Sequence, residues 1–264
     1  MELKNRVITL LTDFGTQDGY VGAMKGILIK HAPAATIVDI SHDIQPYNIR
    51  QAAFAILNYA NHFPEGTVHV VVVDPGVGTE RRGIVLQCNN RFFIGPDNGV
   101  FSYILFEEDL QVLQILESRL GHSVSSSFHG RDVFAPVAAM LANGEDINPI
   151  TTPVKDPVSF FEPCELINDH EMELTVVHID HFGNVIFNFS RADWKKLNWS
   201  NNLRLKLERG FIQGLHNTFG EVPEGGVLLM WDSSDFLQLA QNKGNAAKLL
   251  NIQVGQKFRL IHKR

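Results

Sequence analysis

Only two cysteines, Cys88 and Cys164, occur in 264 residues. Two thiols are too few for a disulfide scaffold or a four-cysteine metal site. Long apolar runs are lacking as well. No stretch approaches the roughly 18 apolar residues that a membrane-crossing helix needs. The early run Val7-Ile-Thr-Leu-Leu11 is too short for a secretory signal and carries no cleavage pattern. Nor is there an excess of positive charge: 23 Lys and Arg stand against 29 Asp and Glu, a net charge of −6. That balance gives no support to a broad nucleic-acid surface. The expectation is a cytoplasmic protein without membrane or nucleic-acid partners. Several chemical signatures are missing too. No G-x-G-x-x-G follows the first apolar strand, no G-x-S-x-G elbow appears, and H-x-H and H-E-x-x-H are absent. These absences speak against a dinucleotide fingerprint, a serine hydrolase and a zinc hydrolase.

What is present points to a folded, mixed α/β chain. Hydrophobic residues make up 44% of it and charged residues 20%, which is enough to bury the core of one large or two modest domains. Val7–Leu11 reads as a strand, followed by a helical pattern over Tyr20–Lys30 with Val21, Met24, Ile27 and Leu28 on one face. A second strand covers Ala35–Ile40, a second helix Ile49–Ala60, and a valine run ends at Val73. Strand, helix, strand, helix, strand predicts a mainly parallel sheet with helical crossovers. Gly83–Gln87 and Arg91–Ile94 read as a hairpin across Cys88-Asn-Asn90. Val133–Ala142 reads as a helix with Asp132 as its N-cap and Pro136 in its first turn. Four prolines, at 149, 153, 157 and 163, then interrupt the chain. Beyond them short, nearly alternating runs suggest a small antiparallel, barrel-like sheet. The expected organisation is an N-terminal Rossmann-like α/β domain over 1–155, a linker over 156–171, and a β domain over 172–264.

The valine run ends in Asp74-Pro-Gly-Val-Gly-Thr-Glu-Arg-Arg82. Asp74 thus stands at the C-terminal edge of a core strand, where ligands gather in open α/β sheets. The alternative is an aspartate that merely holds its turn. Asp13 has a similar place after the first strand. His129 lies in Phe128-His-Gly-Arg-Asp132, just ahead of a helix, and is either a site residue or a packed one. Asp13, Asp39, Asp74 and His129 lack the tight spacing of a metal set, so no metal is expected. Asp97 and Asn98, in Gly95-Pro-Asp-Asn-Gly99, can shape a polar loop or hold their own backbone.

Taken together and in order, these motifs carry a resemblance. They are Thr12-Asp-Phe-Gly15, Tyr20-Val-Gly-Ala-Met-Lys-Gly26, Val73 to Arg82, Gly95 to Gly99 and Phe128 to Pro136, completed by Ile179-Asp-His-Phe-Gly-Asn184 and Gly244-Asn-Ala-Ala247. The chain resembles the S-adenosyl-L-methionine hydroxide adenosyltransferases, hydrolase relatives of the fluorinases and chlorinases. The resemblance implies hydrolysis of S-adenosyl-L-methionine to adenosine and L-methionine, with that molecule as substrate and no cofactor. It implies Asp74, Arg81 and His129 as the catalytic set, which the halogenating relatives lack. It implies Asp13 on the ribose hydroxyls, Asp180, Asn184 and Ser233 on the methionine end, and Phe219, Asn245 and Ala246 against the adenine. It also implies a homotrimer with sites at subunit interfaces. One departure is Ser234, where the halogenating relatives place an arginine.

Overall fold

The computed structural model describes residues 7–197 and 199–263. The chain divides into two compact units, Met1–Phe161 and Glu162–Arg264. In the first, the elements are β1 (Val7–Thr12), α1 (Tyr20–His31), β2 (Thr36–Ser41), α2 (Ile49–Tyr59), β3 (Val68–Val72), β4 (Gly83–Cys88), β5 (Arg91–Pro96), β6 (Gln111–Ile115), α3 (Ala135–Asn143) and β7 (Thr151–Pro153). The strands form one sheet in the order β2-β1-β3-β5-β4-β6-β7.

β3 lies between β1 and β5 and is buried along its whole length. Its valines explain themselves by alternation. Val70 and Val72 join Ile8, Leu10, Met24, Leu28 and Val137 in a core built with α1 and α3. Val71 and Val73 join Leu11, Ala52, Ile56 and Ala60 in a second core built with α2. A strand covered on both faces needs apolar side chains at consecutive positions.

The sheet is only partly parallel. β2, β1, β3 and β5 run parallel to one another. β4, β6 and β7 add antiparallel ladders. This corrects the expectation of a mainly parallel sheet. The cause is local: β4 and β5 are joined by Asn89 and Asn90, both at positive φ (47° and 56°), a tight hairpin that leaves no room for a crossover helix. Asp132 also departs from expectation. A π-helical turn over Gly130–Phe134 carries helical backbone into α3, so no helix start exists at 132 for a cap. Instead the Asp132 carboxylate accepts from the Ser125 amide at 2.9 Å and pairs with Arg131.

The second unit contains β8 (Glu165–Asn168), β9 (Glu171–Ile179), β10 (Val185–Ser190), α4 (Arg191–Lys195), β11 (Leu203–Lys206), β12 (Phe211–Gln213), β13 (Leu215–His216), β14 (Val227–Trp231), β15 (Phe236–Gln241), α5 (Ala246–Leu250) and β16 (Lys257–His262). The order β12-β11-β16-β9-β10-β15-β14-β13 puts β12 and β13 at opposite edges, although only Gly214 separates them in sequence. A sheet can meet that condition only by curling nearly into a barrel. Within the 156–171 stretch read as a linker, Glu165–Asn168 pairs with β9 as a strand. Earlier in the same stretch, the Val158 amide donates to Asp97 and the Phe160 amide to Ser102, both in the first unit. No helix among the described residues is long and apolar enough to cross a membrane.

Candidate active site

The first unit brings Asp74, Arg81 and His129 together. Asp74 leaves the end of the β3 run. The chain then turns back through bonds from the Val77 amide to the Asp74 carbonyl and from the Thr79 amide to the Gly76 carbonyl. Gly78 makes the turn possible. Its φ is +76°, and a Cβ there would stand 2.2 Å from the Ser126 carbonyl oxygen. The returning chain lays Arg81 along Asp74. Nε donates to both carboxylate oxygens at 3.0 Å, and Nη2 pairs with Oδ2. The same Nη2 lies 2.9 Å from Nδ1 of His129. The side chains are 4%, 9% and 5% exposed for Asp74, Arg81 and His129, so the cluster is dry. The turn-only reading of Asp74 therefore fails: its carboxylate is spent on a guanidinium rather than on its own backbone.

An arginine can only donate, so Nδ1 of His129 accepts and the ring is neutral with its proton on Nε2. Burial pushes the His129 pKa below the usual histidine value. The Arg81 charge adds to that, while Glu117, Asp74 and Asp132 oppose it. Arg81 keeps one buried nitrogen, Nη1, with no hydrogen-bond partner among the described residues. A buried guanidinium N–H without an acceptor is costly, and a bound polar group would relieve it.

Asp13 follows β1, the strand beside β3. Its Oδ2 accepts from the Tyr47 amide at 2.9 Å. Burial raises its pKa above the ordinary carboxylate value, the Tyr47 amide opposes this, and the nearby Asp74 charge adds to the rise. Asp39 is committed elsewhere, to Lys25 at 2.5 Å and to His42 at 3.0 Å. No group of three or more His, Cys, Asp and Glu is gathered for a metal ion among the described residues. Arg82 turns away from the cluster to Asp97 and Asp156. Asp97 and Asn98 serve structure: Asp97 also accepts from the Val158 amide, and Asn98 bonds the Val73 carbonyl and the Val100 amide. One residue that sequence reasoning missed is Glu117, whose Oε1 lies 3.4 Å from His129 Nδ1. It belongs to a short polar turn after β6 with no motif or periodicity to mark it.

In the second unit, Asn184, Phe219 and Asn245 line a cleft of ≈ 550 Å³ together with Phe182, Gln241, Lys243 and Gly244. That size suits a small-molecule ligand. Phe219 is 39% exposed and is therefore not core. Asp180 holds the neighbouring turn. Its Oδ1 accepts from the Phe182 and Asn184 amides and its Oδ2 from Asn184 Nδ2 at 2.8 Å. Gly183, at φ +84°, lets Asn245 press against this turn, since a Cβ there would be 2.0 Å from the Asn245 side chain. Asn245 caps α5 through a bond from the Lys248 amide at 2.7 Å, and Ala246 is fully buried behind it. Ser233 is exposed in the turn after β14 and does not line the cleft. Asp232 and Ser234 beside it are joined by a bond from the Ser234 amide at 2.9 Å.

Known proteins resemble this chain over nearly its whole length. Residues 8–151 match the model of the SAM hydroxide adenosyltransferase N-terminal domain, and residues 174–259 match that of the C-terminal domain. An (R)-S-adenosyl-L-methionine hydrolase from Methanocaldococcus jannaschii is 35% identical, with 97% of this chain and 96% of the relative aligned. A fluorinase from Nocardia brasiliensis is 28% identical over 94% of each chain. The solved structure of a conserved protein from Thermotoga maritima superposes with a TM-score of 0.86, at 32% identity, over 97% of this chain and 100% of that one. The chain belongs to the SAM hydroxide adenosyltransferase family.

Proposed function

We propose that this protein hydrolyses S-adenosyl-L-methionine to adenosine and L-methionine, with a water or hydroxide oriented by Asp74, Arg81 and His129 attacking the ribose C5′. The observation that carries the reading is the buried contact set in which Arg81 bridges Asp74 and His129. The printed name of the hydrolase relative supports it.

The chemistry suits the residues. The sulfonium leaves as a neutral thioether and needs no general acid. The difficulty is to hold a poor nucleophile in line with C5′, which fixed donors and acceptors address through orientation. Asp74 accepts a hydrogen bond from the water, Arg81 steadies the developing hydroxide, and His129 takes part in moving the proton. Hydroxide and sulfonium lose opposite charges together, so a dry site favours the transition state. Asp13 accepts from the ribose hydroxyls. Asp180, Asn184 and Ser233 hold the methionine end. Phe219 is a wall for the adenine, and Asn245 and the Ala246 backbone meet its edge. Asn245 spends its carbonyl on the α5 cap, so its amide is what remains for the base. The proposed enzyme is a cytoplasmic homotrimer with sites at subunit interfaces and uses no cofactor.

Incubation of the pure protein with micromolar S-adenosyl-L-methionine should yield adenosine and methionine in equal amounts. Absence of both over hours rejects the reading. In added chloride, 5′-chloro-5′-deoxyadenosine as the main product would instead mark a halide-using enzyme. S-adenosylhomocysteine would mark a methyltransferase.

A further inference from the structure

Four side chains that the proposed reaction leaves unused, Thr12, Lys25, Asp39 and His42, form a connected chain beside Asp13. β1 and β2 run in register up to the pair Leu10 and Asp39, but Leu11 then faces Ser41, so β2 carries one extra residue, Ile40, near its end. A bulge of this kind re-aims the side chains that follow it. His42 reaches Thr12, the last residue of β1, with 2.9 Å between His42 Nδ1 and Thr12 Oγ1. Thr12 is 0% exposed and His42 6%, so the contact is dry. On its other side the ring meets Asp39, with 3.0 Å from Nε2 to Oδ1, although not in line for a full hydrogen bond. Lys25 pairs with the second Asp39 oxygen at 2.5 Å. Burial works to raise the Asp39 pKa, but the Lys25 and His42 contacts outweigh it and leave it below the ordinary value. The group is therefore a carboxylate and can only accept. A ring with its proton on Nε2, toward that carboxylate, presents a lone pair on Nδ1. The Thr12 hydroxyl then donates to Nδ1 and accepts from the Phe14 amide at 3.3 Å, so both of its roles are filled.

Asp13 lies between the two residues that this chain fixes, the Thr12 side chain before it and the Phe14 amide after it. The His42 carbonyl also accepts from the Gly15 amide at 2.8 Å, and the Tyr47 amide donates to the Asp13 carboxylate at 2.9 Å. Ile44, buried in the core beside α2, anchors the stretch between His42 and Tyr47. The loop after β2 thus grips the loop after β1 at residues 12, 13 and 15. We infer that His42 is a positioning residue for the ribose: through Thr12 it sets the backbone on both sides of Asp13, so that the carboxylate is already aimed when the ribose hydroxyls arrive. The inference rests on the hydrolase reading above, in which Asp13 accepts from those hydroxyls. A preset acceptor binds more tightly because less ordering is left for binding to supply. His42 acts through Thr12 rather than on the substrate.

The test is the binding of adenosine and of 2′,3′-dideoxyadenosine, measured by calorimetry on wild type, Thr12→Val, His42→Leu and His42→Asn. Thr12→Val keeps the shape of the side chain and removes its hydroxyl. His42→Asn keeps an acceptor near the place of Nδ1. Thr12→Val and His42→Leu should weaken adenosine binding about three- to tenfold, the worth of one well-placed hydrogen bond, and leave dideoxyadenosine binding unchanged. His42→Asn should recover most of the adenosine affinity. In turnover of S-adenosyl-L-methionine, KM should rise by a similar factor with kcat near wild type, because the ribose is held both before and during the attack. A merely structural role would weaken both nucleosides alike. Equal losses for the two nucleosides, no loss for adenosine, or no recovery in His42→Asn overturn the proposal. Should His42→Leu fail to fold, Thr12→Val decides the comparison. If wild type hydrolyses its substrate and only the nucleoside discrimination stays unchanged in the variants, the inference about His42 falls alone. If wild type forms no adenosine, the hydrolase reading falls first and this one with it.

Discussion

Arg81 and Arg82 are adjacent, carry the same charge, and meet different carboxylates. Arg81 lies on Asp74 and His129, whereas Arg82 binds Asp97 and Asp156 and so ties residues 156–158 to the sheet. Local sequence could not separate them, because the choice depends on how the Gly76–Gly78 turn returns to the strand edge. Family resemblance favoured Arg81, and the geometry supplies a physical reason. The pair gives a paired prediction. Arg81→Lys should lower kcat about a hundredfold or more, because one ammonium cannot reproduce a fork that bonds both Asp74 oxygens and His129. Arg82→Lys should leave kcat near wild type and reduce unfolding stability by about 1.5–3 kcal/mol, the worth of a charged hydrogen bond to the buried Asp97. Steady-state rates and urea unfolding on both variants check this. The opposite assignment of effects would mean that Arg82 is the site arginine.

At the level of elements, the site depends on a turn rather than on a helix or a strand. Gly78 combines a positive φ with a 2.2 Å approach to the Ser126 carbonyl, so Gly78→Ala must both strain its own backbone and push the 125–128 loop away. That loop runs into His129. The substitution should cost about 1–3 kcal/mol in stability and lower kcat by separating Arg81 from His129. Thermal unfolding and turnover together test it, and an unchanged kcat would show that the two loops are not coupled through Gly78. The strand feeding this turn was legible, because four consecutive valines have few other places to go than a strand buried on both faces. The hairpin at Asn89-Asn90 was legible from its turn residues. Its consequence was not, since the hairpin starts an antiparallel part of the sheet in which β4 and β7 run against the other five strands, and pairing order is a long-range property. Glu117 was illegible for a related reason: it approaches His129 only because β6 and the π-helical turn bring distant segments to one edge.

On the scale of the whole molecule, each unit has its own core, and the first carries its acid sensitivity inside it. The two thiols play no part in this, since burial holds both well above the usual range, at about 11. His69 on β3 is fully buried, bonded through Nδ1 to Thr9 at 2.8 Å and stacked on Phe93 at 4.9 Å. Burial, with the Arg91 charge adding to it, pushes its pKa down to about 3. In the unfolded chain a histidine titrates near 6.5. Between those values the unfolded state binds a proton that the folded state refuses, so stability falls as pH falls, by about 1.4 kcal/mol per pH unit. His129 and His178 are depressed as well and add in the same direction. Asp13 and Asp232, raised by burial, act in the opposite sense nearer pH 4, which makes pH 6.5 to 5 the informative window. His69→Gln keeps a partner for Thr9 and cannot take up a proton. From pH 6.5 to 5, wild type should lose about 2 kcal/mol more unfolding free energy than this variant, as read from urea midpoints at each pH. Parallel losses in the two proteins would mean that water reaches His69 and that this core is more open than its packing implies.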